Sequence, residues 1–224
     1  VTDGAAVRGL EPGKRAAVVI HEWQRFTVDP ALSGTPGLAA DAAERDATAK
    51  INRVTAAARA AGLPVFWSTI EPRADRVGTA GNCVLLSGLR KGALAAGEEA
   101  AQLHPDIHTE PGDIWIRRVH GLTPFHGTEL ESYLREQRID TVILGGVSID
   151  VGVSGGALEA VNRGFSVVVP RDCTAASAAH IHDFLLQYQL RLLATISDAA
   201  SVEVALTSLG SDPNCRPVSE GTSR

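Results

Sequence analysis

Five short apolar runs, at residues 16–20, 64–69, 113–116, 141–144 and 166–169, alternate with longer stretches of helical character. The runs are rich in Val and Ile and lack polar alternation, as strands buried on both faces do. Strands separated by helices form a parallel sheet covered on both sides, so the chain is expected to be α/β: a three-layer α/β/α architecture around a mostly parallel, five- or six-stranded Rossmann-like sheet with right-handed crossovers. The sixth strand, near residues 194–197, has the weakest pattern.

Helices are expected over residues 39–61, 128–137, 151–163 and 178–193. Gly62-Leu63-Pro64 stops the first with the punctuation of a helix C-terminus. Thr128 and Glu131 stand at capping-box spacing at the start of the second, and Gly164 ends the third. Residues 71–91 show no periodicity and read as a long loop over the site or at a subunit contact. Residues 1–207 read as one domain, and 208–224, rich in Ser, Gly and Pro, as a disordered tail.

Composition removes several classes of function. The formal net charge is −5 and no Lys/Arg cluster stands apart, which argues against a nucleic-acid partner. The apolar runs are strand-sized and the N-terminus carries no apolar signal segment, so no membrane association and a cytoplasmic location are expected. Cys83, Cys173 and Cys215 have neither zinc-site nor disulfide spacing. Pro105 interrupts the pair His104 and His108, and His180 and His182 point to different helix faces, so neither a metal nor another cofactor is expected.

In an open parallel sheet the ligand crevice lies beyond the carboxyl ends of the strands. Polar groups follow four of the runs: His21-Glu22-Trp23-Gln24-Arg25, Ser68-Thr69-Ile70-Glu71, Arg117-Arg118-Val119-His120 and Ser148-Ile149-Asp150. An enclosed Glu22 would have its pKa raised into the range for proton transfer; a solvated loop glutamate is the alternative. Arg118 would stabilise an anion or serve a surface ion pair, and Arg117 competes with it for the inward position. Gly145-Gly146-Val147-Ser148-Ile149-Asp150-Val151-Gly152 turns a strand into a helix with little side-chain bulk, which suits either an anion held by backbone N–H groups or tight packing. It is not a dinucleotide-binding fingerprint. Cys173 is the only thiol at a plausible strand tip, with a buried structural cysteine as the alternative reading.

Three motifs resemble the isochorismatase-like hydrolase superfamily, which includes nicotinamidases, N-carbamoylsarcosine amidohydrolases and related cysteine hydrolases. They are Val18 to Gln24, similar to an apolar strand ending in Asp-x-Gln; Arg118 to Leu130, similar to a Lys-centred strand with a following Gly-Thr-x-Leu; and Ile139 to Phe165. The likeness spans roughly residues 15–200. It implies a cis peptide between Val147 and Ser148, an acid at Glu22, a cation at Arg118 and a nucleophile at position 152, where this chain has Gly152. Trp23, Gln24, Val147, Ser148 and Gly152 are then the expected substrate-binding positions. With glycine there, the resemblance points to the isochorismatase branch, in which a carboxylic acid protonates the substrate and water completes cleavage. The expected function is a small-molecule hydrolase using acid/base chemistry at Glu22. The alternatives are a non-catalytic small-acid-binding or interaction protein and an amidohydrolase with another nucleophile such as Cys173. The resemblance also implies a homo-oligomer.

Overall fold

The structure, a computed structural model, describes residues 6–211. Six parallel strands form its sheet: β1 (Ala16–His21), β2 (Val65–Ile70), β3 (Ile114–Arg118), β4 (Thr141–Gly146), β5 (Ser166–Pro170) and β6 (Thr195–Ser197). Their order is β3-β2-β1-β4-β5-β6, so the chain builds outward from β1 and then reverses at the β1/β4 boundary. That boundary is the switch point at which such sheets open a crevice.

Between and after the strands lie α1 (Arg25–Val28), α2 (Pro36–Glu44), α3 (Ala47–Ala60), α4 (Val84–Lys91), α5 (Leu130–Glu136), α6 (Ser154–Asn162), α7 (Ala179–Tyr188) and α8 (Ala199–Gly210). Because both faces of the central strands are covered, successive residues of one strand serve two cores. Val18, Ile20, Val65, Trp67 and Ile143 pack with α3 and α8 residues such as Ile51, Val54, Val202 and Leu206. Val19, Phe66, Val142 and Leu144 face the other way, toward Leu130, Leu134, Ala157 and Leu186.

Several boundaries differ from expectation. The helix expected over 39–61 is two helices, broken where Asp46 takes the left-handed conformation at φ 51°. The expected loop contains α4, and α8 was not foreseen; α8 also carries ordered helix through Gly210, into the segment read as a tail. Residues 212–224 of that tail, with Cys215, lie outside the described residues. The capping box does not form: Thr128 Oγ1 donates to the carbonyls of Pro124 and Phe125, and Glu131 pairs with Arg135 and Arg163. The expected 178–193 helix ends at Tyr188 and continues as a 3-10 turn, Leu190–Leu192.

Candidate active site

The ends of β1, β2, β3 and β4 converge, and their register assembles the site. His21 lies opposite Ser68 on one side and Gly146 on the other, while Arg118 lies opposite Ile70. Gly146 has φ 107°, and a Cβ there would lie 2.1 Å from the His21 carbonyl oxygen, so only glycine lets β4 run this close to β1. The following Val147–Ser148 peptide is cis. A short π-helical turn, Ile149–Val153, then leads into α6.

Glu22 leaves β1 in the left-handed region, at φ 50°, a conformation costing a non-glycine residue about 1–2 kcal/mol. It is held there by its N–H donating to the Ser68 carbonyl at 2.7 Å and by Thr27 Oγ1 donating to its own carbonyl at 2.7 Å. The Arg118 guanidinium donates to Glu22 Oε1 in a charge-assisted hydrogen bond. Arg118 also donates to the Gly121 carbonyl at 3.0 Å and to Ser68 Oγ at 3.3 Å. Its side chain is 1% exposed and that of Glu22 is 19% exposed, so the carboxyl reaches the cavity and the guanidinium stands behind it. Burial pushes the Glu22 carboxyl above its ordinary value, and the Arg118 charge pulls in the opposite direction without cancelling the shift.

The choice between the two arginines is settled by the alternation of an edge strand. Arg118 is buried, whereas Arg117 is exposed, 3.4 Å from Glu71 and stacked over the Trp115 ring at 5.2 Å.

His21 is a site residue that the sequence reading did not single out. Its ring is buried, with Nδ1 3.3 Å from Ser68 Oγ and Nε2 3.5 Å from Glu22 Oε1. Burial, reinforced by Arg118, holds the imidazole well below the ordinary histidine range, so it is neutral at pH 7. A Cβ on Gly152 would lie 2.5 Å from His21 Cδ2 and 2.6 Å from its Nε2. The imidazole thus occupies the space into which any side chain at 152 would project. The sequence signal was present, a histidine ending an otherwise aliphatic strand, but its meaning required the β1/β4 register.

A cavity of about 800 Å³ opens over this point, with Glu22, Ser148 and Gly152 among its lining residues. Apolar side chains from α1, α2 and α4, including Phe26, Leu38, Leu85 and Leu89, form much of its wall. The other expected binding residues stand away from it. Trp23 is fully buried in the core, its ring N–H donating to Thr48 Oγ1 at 3.1 Å. Gln24 spends its amide on backbone, donating to the carbonyls of Ile70 and Ala101 at 3.1 and 2.6 Å and accepting from the Ile70 N–H at 2.8 Å. Val147 is buried against the core. Cys173 is 1% exposed and is not among the residues lining the cavity, and burial raises its thiol well above the ordinary range, with Asp172 adding to the effect.

A second hollow, lined by Arg59, Pro64, Val65 and Asp113, lies at the opposite ends of the strands. Arg59 and Asp113 pair there at 2.8 Å, and Trp67 Nε1 donates to the same carboxylate at 2.7 Å. Among the described residues no cluster of His, Cys, Asp and Glu could hold a metal ion, and no helix is long and apolar enough to cross a membrane.

Known proteins share this architecture. A cysteine hydrolase from Pseudomonas syringae pv. phaseolicola 1448A superposes with a TM-score of 0.79 at 22% identity, covering 92% of this chain and 98% of that one. An N-carbamoylsarcosine amidase from Arthrobacter sp is 32% identical over 124 residues, 54% of this chain and 47% of the relative. A ureidoacrylate amidohydrolase, RutB, from Methylobacterium radiotolerans is 29% identical over 172 residues, 70% of this chain and 66% of the relative. The chain thus spans less than two thirds of the length of either curated relative. The model of the isochorismatase domain matches residues 16–201, the span that carries the sheet and every residue of the site, and the chain belongs to the isochorismatase family.

Proposed function

We propose that the chain is a small-molecule hydrolase in which the Glu22 carboxyl acts as general acid and base, with no covalent thioester. One observation carries this reading: the cavity floor presents a carboxyl that burial makes more basic, beside a position 152 whose side-chain space is filled by His21. Burial favours the protonated acid, while Arg118 stabilises the anion left after proton donation, so both forms are accessible. In the proposed cycle, protonated Glu22 gives its proton to the leaving nitrogen of an amide, or to the terminal vinyl carbon of an enol ether, and the C–N or C–O bond breaks as water takes the place of the leaving group. Water adds to the carbon and returns a proton to the carboxylate. Arg118 acts through Glu22, and Ser148 and the backbone at Gly152 border the reacting group.

The names of the two amidohydrolase relatives support hydrolysis of a C–N bond, and the glycine at 152 supports isochorismatase-type ether cleavage. Turnover of small uncharged amides and vinyl ethers, with isochorismate as the dianionic comparison, by wild type and Glu22→Gln tests the reading. A loss of about 10²–10⁴-fold is expected; equal rates would remove Glu22 from the mechanism. The closed Arg118–Glu22 pair also favours a second reading, a small-molecule-binding protein without catalysis. Saturable binding with no turnover by wild type would decide for it.

A further inference from the structure

The cavity wall is apolar far beyond what one acid/base group requires, and its charged lining is entirely acidic: Glu22, Glu98 and Glu99. Two arginines that stand behind the lining are already engaged. Arg118 is buried behind Glu22, and Arg25 spends its guanidinium on Asp29 and Glu99. No lysine, arginine or histidine side chain lines the cavity among the described residues.

We infer that the cavity selects an uncharged, largely apolar small molecule that presents one polar group to Glu22 and excludes carboxylate ligands. As a statement about substrate, this rests on the hydrolase reading; as a statement about ligand, it stands on the lining alone. An anion entering here would lose hydration without meeting a cationic side chain in the lining and would face the Glu22 and Glu98 carboxyls. A neutral ring or branched chain gains contact with Phe26, Leu32, Leu38, Leu85, Leu89 and Leu122. Its polar end meets Glu22, whose pairing with Arg118 uses Oε1.

The test uses the full chain and two matched pairs of probes, benzamide with benzoate and cyclohexanecarboxamide with cyclohexanecarboxylate, titrated near neutral pH by protein-observed NMR. Both amides are expected to shift cavity resonances and to bind at least about tenfold more tightly than their carboxylates. Leu89→Trp, shown to be folded by circular dichroism, is expected to abolish amide binding by filling the cavity from α4. Carboxylates that bind as well as or better than the amides overturn the inference, as do amides that fail to bind or that bind Leu89→Trp unchanged. Failure of the hydrolase reading is distinguishable: amides would bind selectively while wild type and Glu22→Gln both turn over nothing.

Discussion

Placing a methyl group at position 152 should set it against His21. In Gly152→Ala the new Cβ would sit 2.5 Å from His21 Cδ2 and 3.0 Å from the Val147 carbonyl oxygen, closer than atoms approach without displacement. The imidazole cannot swing aside freely, because it is 1% exposed and lies between Ser68 and Glu22. Overpacking of this kind costs about 1–3 kcal/mol, while replacing helical glycine by alanine returns up to about 1 kcal/mol. The two contributions separate in a double-mutant cycle with His21→Ala, because the helix-propensity gain is common to both backgrounds and only the clash depends on the imidazole. Gly152→Ala should therefore be less favourable in the wild-type background than in His21→Ala by roughly 1–3 kcal/mol, a difference of several degrees in Tm for a chain of this size. Denaturant unfolding of the four proteins measures it. Additivity within about 0.5 kcal/mol would refute the claim that His21 occupies the side-chain space of residue 152.

Other consequences follow from the same geometry. His21 and His182 both have pKa values depressed by burial, so the unfolded chain binds more protons below about pH 6.5 and stability falls as pH drops through that value toward the folded pKa. Glu22, shifted upward, contributes in the opposite sense just above 4.5, so the comparison of wild type with His21→Gln isolates the histidine: the variant should show a shallower loss in urea melts below pH 6.5. Arg118→Met removes the partner of a largely enclosed carboxyl and should cost about 3–5 kcal/mol near neutral pH, with the deficit shrinking toward acid as Glu22 protonates; a pH-independent cost would contradict the pairing. Gln24→Leu should destabilise by more than about 2 kcal/mol in chemical denaturation, since it strands the Ile70 N–H and two carbonyls; a neutral result would mean that those backbone groups find other partners.

The central sheet was legible because β1, β2, β4 and β5 are apolar on both faces, and only burial between two helical layers explains such runs. The edges were less so. β3 alternates between exposed and buried residues, so its last two positions, Arg117 and Arg118, looked like the start of a loop. β6 has three residues, all half-buried, too short for a pattern. α4 escaped notice because Val84, Leu85, Leu86 and Leu89 face a cavity rather than the core, and Val84 and Leu85 remain exposed. At the site, Glu22, Arg118 and the glycine turn could be located from strand ends. The locations of Trp23 and Gln24 could not, because adjacent residues in a tight turn diverge, one into the core and the other onto the Ile70 and Ala101 backbone. His21 was hidden for a related reason: a strand-end histidine acquires meaning only through the neighbour that β4 brings opposite it.

Acid/base chemistry at this site depends on the protonation of one carboxyl. Carbon-13 NMR titration of the Glu22 side chain, assigned by comparison with Glu22→Gln, should show a midpoint above the ordinary 4.5 in the wild-type protein. The midpoint should move higher still in Arg118→Met, where burial acts without the opposing charge. A wild-type midpoint at or below 4.5 would mean that Arg118 outweighs burial, leaving a permanent ion pair in place of a general acid.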